Sequence, residues 1–100
     1  MRKIVLLCFI GMSTNLLVNK MKEVAKEEGF ECEILAYPVT ESHNVDKNAD
    51  IILLGPQVRY NLGNVQKQFP GKPVEAIDMV AYGMMDGKKV IAQVKKALGL

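Results

Sequence analysis

The chain has few of the residues on which many active sites are built. It contains no tryptophan, two cysteines and one histidine, and 6% of its 100 residues are aromatic. Without a Cys-x-x-Cys spacing it offers neither a dithiol redox pair nor a convincing set of metal ligands. Its 13 basic and 11 acidic residues are mixed along the chain, which does not favour a nucleic-acid surface. We therefore expect no metal, no cofactor and no nucleic-acid partner.

Long hydrophobic runs are also absent. The apolar residues that follow Met1-Arg2-Lys3 have only the length of a strand, too short for a transmembrane helix or a signal peptide. The chain length suits a single domain over residues 1–100. We expect a cytoplasmic protein.

Strand-like and helical segments alternate along the chain. Residues 4–7 and 51–54 are continuous apolar runs typical of buried strands, whereas residues 31–35 and 74–77 interleave charged and apolar side chains, as edge strands do. Three helical faces lie between or after them. They are Leu17, Val18, Met21, Val24 and Ala25 before Gly29; Val58, Leu62, Val65 and Phe69; and Val90, Ile91, Val94, Ala97 and Leu98 after a cap at Asp86. Residues 40–48 are polar and predict a loop with one helical turn.

This alternation predicts an α/β fold with one open four-stranded parallel sheet and helices on both faces. With the apolar strands in the centre and the mixed strands at the edges, the strand order is 2-1-3-4. Ligands in such sheets bind where the chain direction reverses, here between the carboxyl ends of the first and third strands. Cys8 follows one of these ends and residues 55–57 follow the other, so we expect the two loops to face one crevice.

Cys8 is the strongest candidate for a functional residue. A lone cysteine after a strand is often a buried packing residue, but this one precedes a loop and an amphipathic helix. Gly11 allows a sharp turn, and amides from about Ile10 onward would form an anion-binding nest at the helix start. Such a setting suits a nucleophilic thiolate. Cys32, between two glutamates of an edge strand, is expected to be a core side chain.

Residues after Cys8 have alternative interpretations. Ser13 and Thr14 would either cap the following helix or also reach a bound phosphoryl oxygen. Asn15 would be a binding residue or simply a first-turn residue. Met12 would pack inward or form an adaptable contact with a partner.

Several residues after the third and fourth strands are less specific. Gln57 and Arg59 would form either part of the site or an ordinary helix start. Asp78 would lie at the crevice rim or act as a turn or capping carboxylate. Residues 82–85 predict a loop whose two methionines suit an interface, and His43 is expected to be a solvated loop residue.

Five segments, taken in order, resemble one known family. They are Cys8-x-x-Gly11-Met12-Ser13-Thr14, residues 53–60 (LLGPQVRY), 72–74 (KPV), 77–78 (ID) and 82–87 (YGMMDG). Together they span nearly all of the chain. In this combination the chain resembles the lactose/cellobiose-type IIB component of the bacterial phosphoenolpyruvate-dependent sugar phosphotransferase system.

The resemblance implies a cytoplasmic phosphotransferase that acts transiently at the inner face of the membrane. In this family a cysteine receives a phosphoryl group from a histidine of the IIA component. It passes the group to a sugar of the cellobiose, chitobiose or lactose type that is bound by the membrane component IIC. Here Cys8 would be the phosphocysteine, and the crevice rim would include Gln57, Asp78 and Met84. No feature of the sequence requires an oligomer, so we expect a monomer. The phosphate-binding loop would comprise Phe9, Ile10, Gly11, Met12, Ser13, Thr14 and Asn15.

The chain departs from the family pattern inside this loop. Phe9 and Ile10 stand where small residues such as Ser-Ala are common, and Asn15 stands where serine is common. A nest of backbone amides needs no particular side chain, so the loop should still bind phosphate. The bulkier Phe9-Ile10 pair bears on the fit of the partner.

Two other functions use a cysteine in this place. Low-molecular-weight cysteine phosphatases share the expected architecture, but their loop is Cys-x5-Arg and Thr14 stands at the arginine position. Without a guanidinium to stabilise the phosphoryl group in transit, hydrolysis should be slow. The other alternative is a non-enzymatic regulatory module in which Cys8 senses redox state or anions. Transfer of phosphate from another protein to Cys8 would distinguish them.

Overall fold

The sheet has the predicted strand order. The computed structural model describes residues 1–9 and 11–100, and for residues 11–14 the backbone alone. Its strands are β1 (Arg2–Cys8), β2 (Cys32–Pro38), β3 (Ile51–Leu54) and β4 (Val74–Ala76). All neighbouring strands are parallel, in the order β2-β1-β3-β4. The prediction of an open parallel sheet with order 2-1-3-4 is confirmed.

Helices cover both faces of the sheet, as predicted. The α-helices are α1 (Gly11–Glu27), α2 (Leu62–Gln68), α3 (Met79–Gly83) and α4 (Gly87–Ala97). Two 3₁₀ helices occupy Val39–Asn44 and Pro56–Asn61. One face packs against α1, α3 and α4, and the other against α2 and the 3₁₀ helices.

The side chains of β1 alternate between two hydrophobic cores. Ile4 and Leu6 pack with α1 and α4, whereas Val5 and Leu7 pack with α2 and its neighbours. All four are at most 1% exposed, as expected for a central strand covered on both faces. The continuous apolar run in the sequence is therefore the direct signature of two cores that meet at one strand.

Two edge strands differ in length from their predicted ranges. β2 was expected over residues 31–35, but it begins at Cys32 and extends to Pro38, because its pairing with β1 continues until Pro38 lies opposite Cys8. β4 ends at Ala76 rather than 77, although the Ile77 amide still donates to the Leu54 carbonyl at 2.8 Å. The ends of these strands are decided by the partner strand and not by local polarity.

The helical pattern over residues 58–69 is split in two. Pro56 opens a 3₁₀ helix, Val58 has a non-helical backbone (φ −118°, ψ 16°), and α2 begins only at Leu62. The spacing nevertheless identified the buried side chains, since Val58 and Val65 are at most 1% exposed and Phe69 is 2% exposed. The single turn expected within residues 40–48 is present as the 3₁₀ helix Val39–Asn44.

The prediction of a loop over residues 82–85 is wrong for residues 82 and 83. Tyr82 and Gly83 complete α3, a five-residue helix whose first free amides are capped by Asp78. The helix closes through Met85, which has a left-handed backbone (φ 52°), with the Asp86 amide bonded to the Ala81 carbonyl at 2.9 Å. Five residues are too few for a helical period, so only the capping carboxylate could have signalled it.

α4 begins as predicted and meets α1 at very short range. Asp86 accepts a hydrogen bond from the Lys89 amide at 3.1 Å, which confirms the predicted cap. Directly after it, a Cβ atom at Gly87 would lie 2.7–2.8 Å from backbone atoms of Lys20 and Met21. Because both sides of this contact are backbone, the helices can approach only where residue 87 has no side chain.

A salt bridge and a carboxylate cap tie β1 to the segment before β3. Lys3 Nζ lies 2.7 Å from Asp46 Oδ2, and Asp50 Oδ2 accepts from the Lys3 amide at 2.8 Å. The hydrogen bond with Lys3 lowers the pKa of Asp46, and the same bond raises the pKa of Lys3. Both groups are solvent-exposed, so this pair adds orientation more than stability.

The described helices include none with the length and apolar character needed to span a lipid bilayer.

We expect Gly87→Ala to lower the free energy of unfolding by about 1–3 kcal/mol, because the added methyl group forces α1 and α4 apart. Gly63→Ala is the matched control: it lies in α2, where an added Cβ meets no atom within 4 Å, and helix propensity should stabilise it by about 0.5–1 kcal/mol. Urea denaturation measures both. Equal effects of the two substitutions would contradict the close helix contact.

We expect the contribution of Asp46 to stability to depend on pH. Its folded pKa is below the ordinary 3.8, so the contribution is complete above that pH and is lost as pH falls through the folded pKa. Unfolding of the wild type and Asp46→Asn should therefore differ at neutral pH and converge in acid, with Glu41→Gln as a control for loss of one exposed carboxylate. A difference that persists in strong acid would refute the Lys3–Asp46 assignment.

Candidate phosphoryl-transfer site

Cys8 lies at the carboxyl end of β1, directly before the connection to α1. Its Cα pairs with Pro38 of β2, and its side chain is 2% exposed. The Sγ atom donates to the Tyr37 carbonyl oxygen at a donor–acceptor distance of 3.8 Å, a weak hydrogen bond of a thiol. The resting sulfur is thus covered, and a backbone carbonyl oxygen lies within reach of its thiol.

The predicted loop after Cys8 is shorter than expected because α1 begins at Gly11. Ser13 and Thr14 therefore lie within the first turn and do not occupy the N-cap position, which corrects the capping interpretation. Ile10 lies outside the described residues, as do the side chains of residues 11–14. Of the other expected loop residues, Phe9 is 64% exposed and Asn15 is exposed on α1.

α1 begins at Gly11, three residues after Cys8 at the carboxyl end of β1. With 17 residues it is the longest helix of the described chain, and the first four amides of an α-helix have no partner within it. These amides and the helix dipole favour an anion at this end. The arrangement therefore provides, next to a thiol, the electrostatics that an anionic substituent on sulfur requires.

The loop after β3 lies beside Cys8, as the sequence predicted. The Gly55 amide donates to the Leu7 carbonyl oxygen at 2.8 Å, so the carboxyl ends of β1 and β3 are joined by a hydrogen bond. A Cβ atom on Gly55 would lie 3.2 Å from Gln57 Oε1 and 3.6 Å from Tyr82 Cε2. Gly55 thus allows both side chains to approach the strand ends closely.

A groove of about 340 Å³ opens next to this contact. Pro56, Gln57, Met79, Tyr82 and Gly83 line it, so the segment after β3 and helix α3 form its two sides. Gln57 is exposed here, at the crevice where it was expected, and Arg59 is exposed in the same 3₁₀ helix. The tyrosine ring is buried, and it connects the groove to the core beneath α1 and α4.

Asp78 follows the fourth strand as expected, but its carboxylate has a structural partner. Its Oδ2 accepts a hydrogen bond from the Ala81 amide at 3.0 Å and caps α3. The capping alternative from the sequence is confirmed. The carboxylate remains exposed at the same end of the sheet, where it fixes the start of the helix that lines the groove.

Several exposed apolar side chains lie in segments that follow the carboxyl ends of strands. Met84 is 70% exposed, whereas Met85 is half-buried, and the place of Met84 at the rim stays a prediction. Sequence reasoning missed three further members, although each follows the end of a strand. Besides Phe9 and Met84, the apolar rim comprises Tyr60, Met79 and Val80, which are 58–70% exposed.

A second groove, of about 460 Å³, lies at the opposite end of the sheet. It is lined by residues of α1, the start of β2 and the amino terminus, including Cys32. This cysteine was expected in the core; it is only half-buried because the groove opens beside it, and burial raises the pKa of its thiol. The groove is larger than the one beside Gly55, but its lining includes no amino end of a described helix, so Cys8 stays the candidate.

The remaining candidates do not join the site. His43 is exposed within the 3₁₀ helix after β2, as expected for a solvated histidine. Among the described side chains, those of residues 1–9 and 15–100, no group of three His, Cys, Asp or Glu residues is arranged to hold a metal ion.

Comparison with known proteins agrees with this geometry. The model of the family described as "PTS system, Lactose/Cellobiose specific IIB subunit" matches residues 3–93. An oligo-beta-mannoside-specific EIIB component of Bacillus subtilis is 46% identical in an alignment of 95 residues that covers 93% of this chain and 92% of that protein. A cellobiose-specific EIIB component of Lactococcus lactis subsp. lactis is 42% identical, with 89% of each chain covered.

Solved structures show the same architecture. The cellobiose-specific phosphotransferase IIB component from Borrelia burgdorferi superposes with a TM-score of 0.79 at 33% identity, over 98% of this chain and 92% of that one. The lactose-specific IIB domain from Streptococcus pneumoniae has a TM-score of 0.80 and covers 96% of both chains; at 19% identity it supports the fold alone. With β1, Cys8 and α1 inside the matched region, the chain belongs to the lactose/cellobiose-specific IIB family of the sugar phosphotransferase system.

Proposed function

We propose that Cys8 is the phosphoryl carrier of this IIB component. Its place at the carboxyl end of β1, just before α1 begins at Gly11, is the observation that carries the proposal. It accepts a phosphoryl group from a phosphohistidine of a IIA component and passes it to a sugar bound by a membrane IIC component. The backbone of residues 9–15 holds the phosphoryl oxygens.

The chemistry needs little beyond position and charge. The Cys8 thiol first loses its proton to solvent, and the thiolate sulfur forms a bond to phosphorus as the phosphorus–nitrogen bond of the donor histidine breaks. In the second transfer a sugar hydroxyl loses its proton and bonds to phosphorus, and the thiolate leaves. The amides at the start of α1 stabilise the thiolate and the charge on the phosphoryl oxygens.

For the sugar, only a class of substrate is assigned here, together with the cellular setting. Relatives of 42–46% identity are named for oligo-beta-mannoside, galactose and cellobiose, so overall similarity does not select one of these sugars. We assign a cellobiose-, chitobiose- or lactose-type sugar. Residues 1–100 act as one monomeric cytoplasmic IIB domain that reaches the inner face of the membrane through IIC.

We assign the apolar rim, defined above, as the docking surface for the two partners. Donor and acceptor must both reach one sulfur, so each has to cover the carboxyl end of the sheet. Exposed methionines and aromatic rings are side chains typical of adaptable protein interfaces. Of the other large apolar side chains exposed on the described chain, Met1 and Leu100 are terminal residues and Leu16 lies in the second turn of α1.

Hydrolysis by a phosphatase mechanism is not favoured. Thr14 occupies the position of the phosphatase arginine in the sequence. The Asp78 carboxylate, the candidate for the general acid of such a mechanism, instead accepts a hydrogen bond from the Ala81 amide as a helix cap. A carrier without these groups does not catalyse attack of water on its phosphocysteine, so the phosphoryl group persists until the acceptor arrives.

We expect Cys8→Ser to abolish phosphorylation of this protein. Incubation with phosphoenolpyruvate, the general phosphotransferase proteins and a cellobiose-type IIA should give a single acid-labile phosphoryl adduct on the wild type, detected by intact mass. Cys32→Ser is the matched control and should keep the adduct. An adduct that survives in Cys8→Ser, or is lost in Cys32→Ser, would refute the assignment of Cys8.

We expect Met84→Glu to weaken partner docking without unfolding the protein, because the side chain is 70% exposed. Loss of one apolar interface contact of about 1–2 kcal/mol raises the KM for phosphorylated IIA roughly tenfold. Leu100→Glu, at a residue 60% exposed beyond the far end of α4, is the control and should leave KM unchanged. Equal KM values for the two variants would remove the rim from the docking surface.

A further inference from the structure

The carbonyl that holds the Cys8 thiol belongs to the residue before a proline. Cys8 Sγ donates to the oxygen of Tyr37 at 3.8 Å, and Pro38 follows. Pro38 is also the residue of β2 that lies opposite Cys8 in the sheet register. The last pair of the β1–β2 ladder therefore brings together a thiol, a carbonyl oxygen and a pyrrolidine ring.

Proline in this position restricts the direction of the Tyr37 carbonyl. A residue that precedes proline is pushed out of the helical region and kept extended, which fixes its peptide plane. Pro38 itself has the backbone expected of its ring (φ −59°, ψ 143°) and opens the following 3₁₀ helix. Without an N–H group, it cannot extend the ladder of hydrogen bonds with β1.

Packing does not explain the proline. Pro38 is exposed, whereas its neighbours are anchored: Tyr37 packs against the core on the α2 face and Val39 is 7% exposed. Replacement of the ring therefore removes little apolar burial. What it does remove is the restriction on the peptide group that accepts the thiol proton.

We propose that Pro38 is a positioning residue for Cys8. By keeping Tyr37 extended, it holds the Tyr37 carbonyl oxygen as the acceptor of the Cys8 thiol, and it thereby keeps the resting sulfur shielded at the end of β1. A thiolate or a phosphocysteine has no proton to donate and is repelled by the carbonyl dipole. The sulfur must therefore turn away from Tyr37 before it receives a phosphoryl group.

The shielding protects the nucleophile between turnovers. A sulfur that is 2% exposed and bonded as a thiol reacts slowly with small electrophiles and oxidants, although it lies near a helix amino end. The part of this proposal that concerns phosphoryl transfer rests on the proposed role of Cys8. The position of the sulfur in the unphosphorylated protein can be tested independently of that role.

The test compares alkylation of Cys8 by iodoacetamide in the wild type, Pro38→Ala and Pro70→Ala at one pH. The thiolate displaces iodide, the thiol proton goes to solvent, and peptide mass spectrometry reports each cysteine separately. Pro38→Ala should raise the rate at Cys8 by roughly threefold or more, because the open form of the site becomes more populated. Pro70→Ala controls for the loss of an exposed proline, as Pro70 lies in the turn after α2.

Cys32 provides an internal control in every sample. If Pro38→Ala acts on the Cys8 site, the rate at Cys32 stays that of the wild type; a parallel rise at both cysteines would indicate general destabilisation and overturn the proposal. An unchanged rate at Cys8 would overturn it too. Failure of Cys8→Ser to lose the phosphoryl adduct would contradict the proposed function and leave this outcome intact.

A second measurement does not require Pro38→Ala to fold. In the wild type, the ¹³C resonance of the Tyr37 carbonyl should report its hydrogen bond to Cys8. Cys8→Ala removes the donor and should shift this resonance, whereas Cys8→Ser, which retains a donor, should shift it less. Equal shifts in the two variants would show that the carbonyl does not accept from residue 8, and the proposal would be wrong.

Discussion

The placement of β1 between β2 and β3 is the constraint on which the rest of the structure depends. Its residues from Ile4 to Cys8 are buried, and its register is fixed by seven pairs with β2 and four with β3. In a parallel sheet both neighbours must return through crossovers, which places helices on the two faces and their amino ends at the carboxyl ends of the strands. The site follows from this geometry, because Cys8 is the last residue of that central strand.

The same end of the sheet combines two opposite properties. The sulfur is covered and bonded to a neighbouring strand, while the side chains around it are apolar and exposed. This combination suits a carrier. Water is kept from the sulfur in the resting protein, and the exposed apolar side chains around it are available to a partner. Burial of apolar rim residues on docking would also lower the local dielectric around the transferred group, which strengthens its contacts with the backbone amides.

Much of the fold was predictable because its signals are local. The apolar runs at residues 4–7 and 51–54 identified the two central strands, and Asp86 identified the start of α4. Elements that depend on a neighbour were missed or misplaced. β2 continues to Pro38 because β1 pairs with it to that point, and α3 is too short for a periodic pattern.

For the site, the sequence by itself determined the candidate nucleophile, the strand that carries it, the helix that follows, and the meeting of the Cys8 and Gly55 loops. These depend on residue order and on the topology that alternating strands and helices impose. Only the tertiary structure decided that the Cys8 thiol donates a hydrogen bond to the Tyr37 carbonyl and that Asp78 caps a helix. It also decided that Gly87 lies against α1 and that the exposed rim includes Tyr60, Met79 and Val80. Each of these is a contact or an exposure created by residues distant in the chain, and local sequence carries no record of which distant atoms will lie beside it.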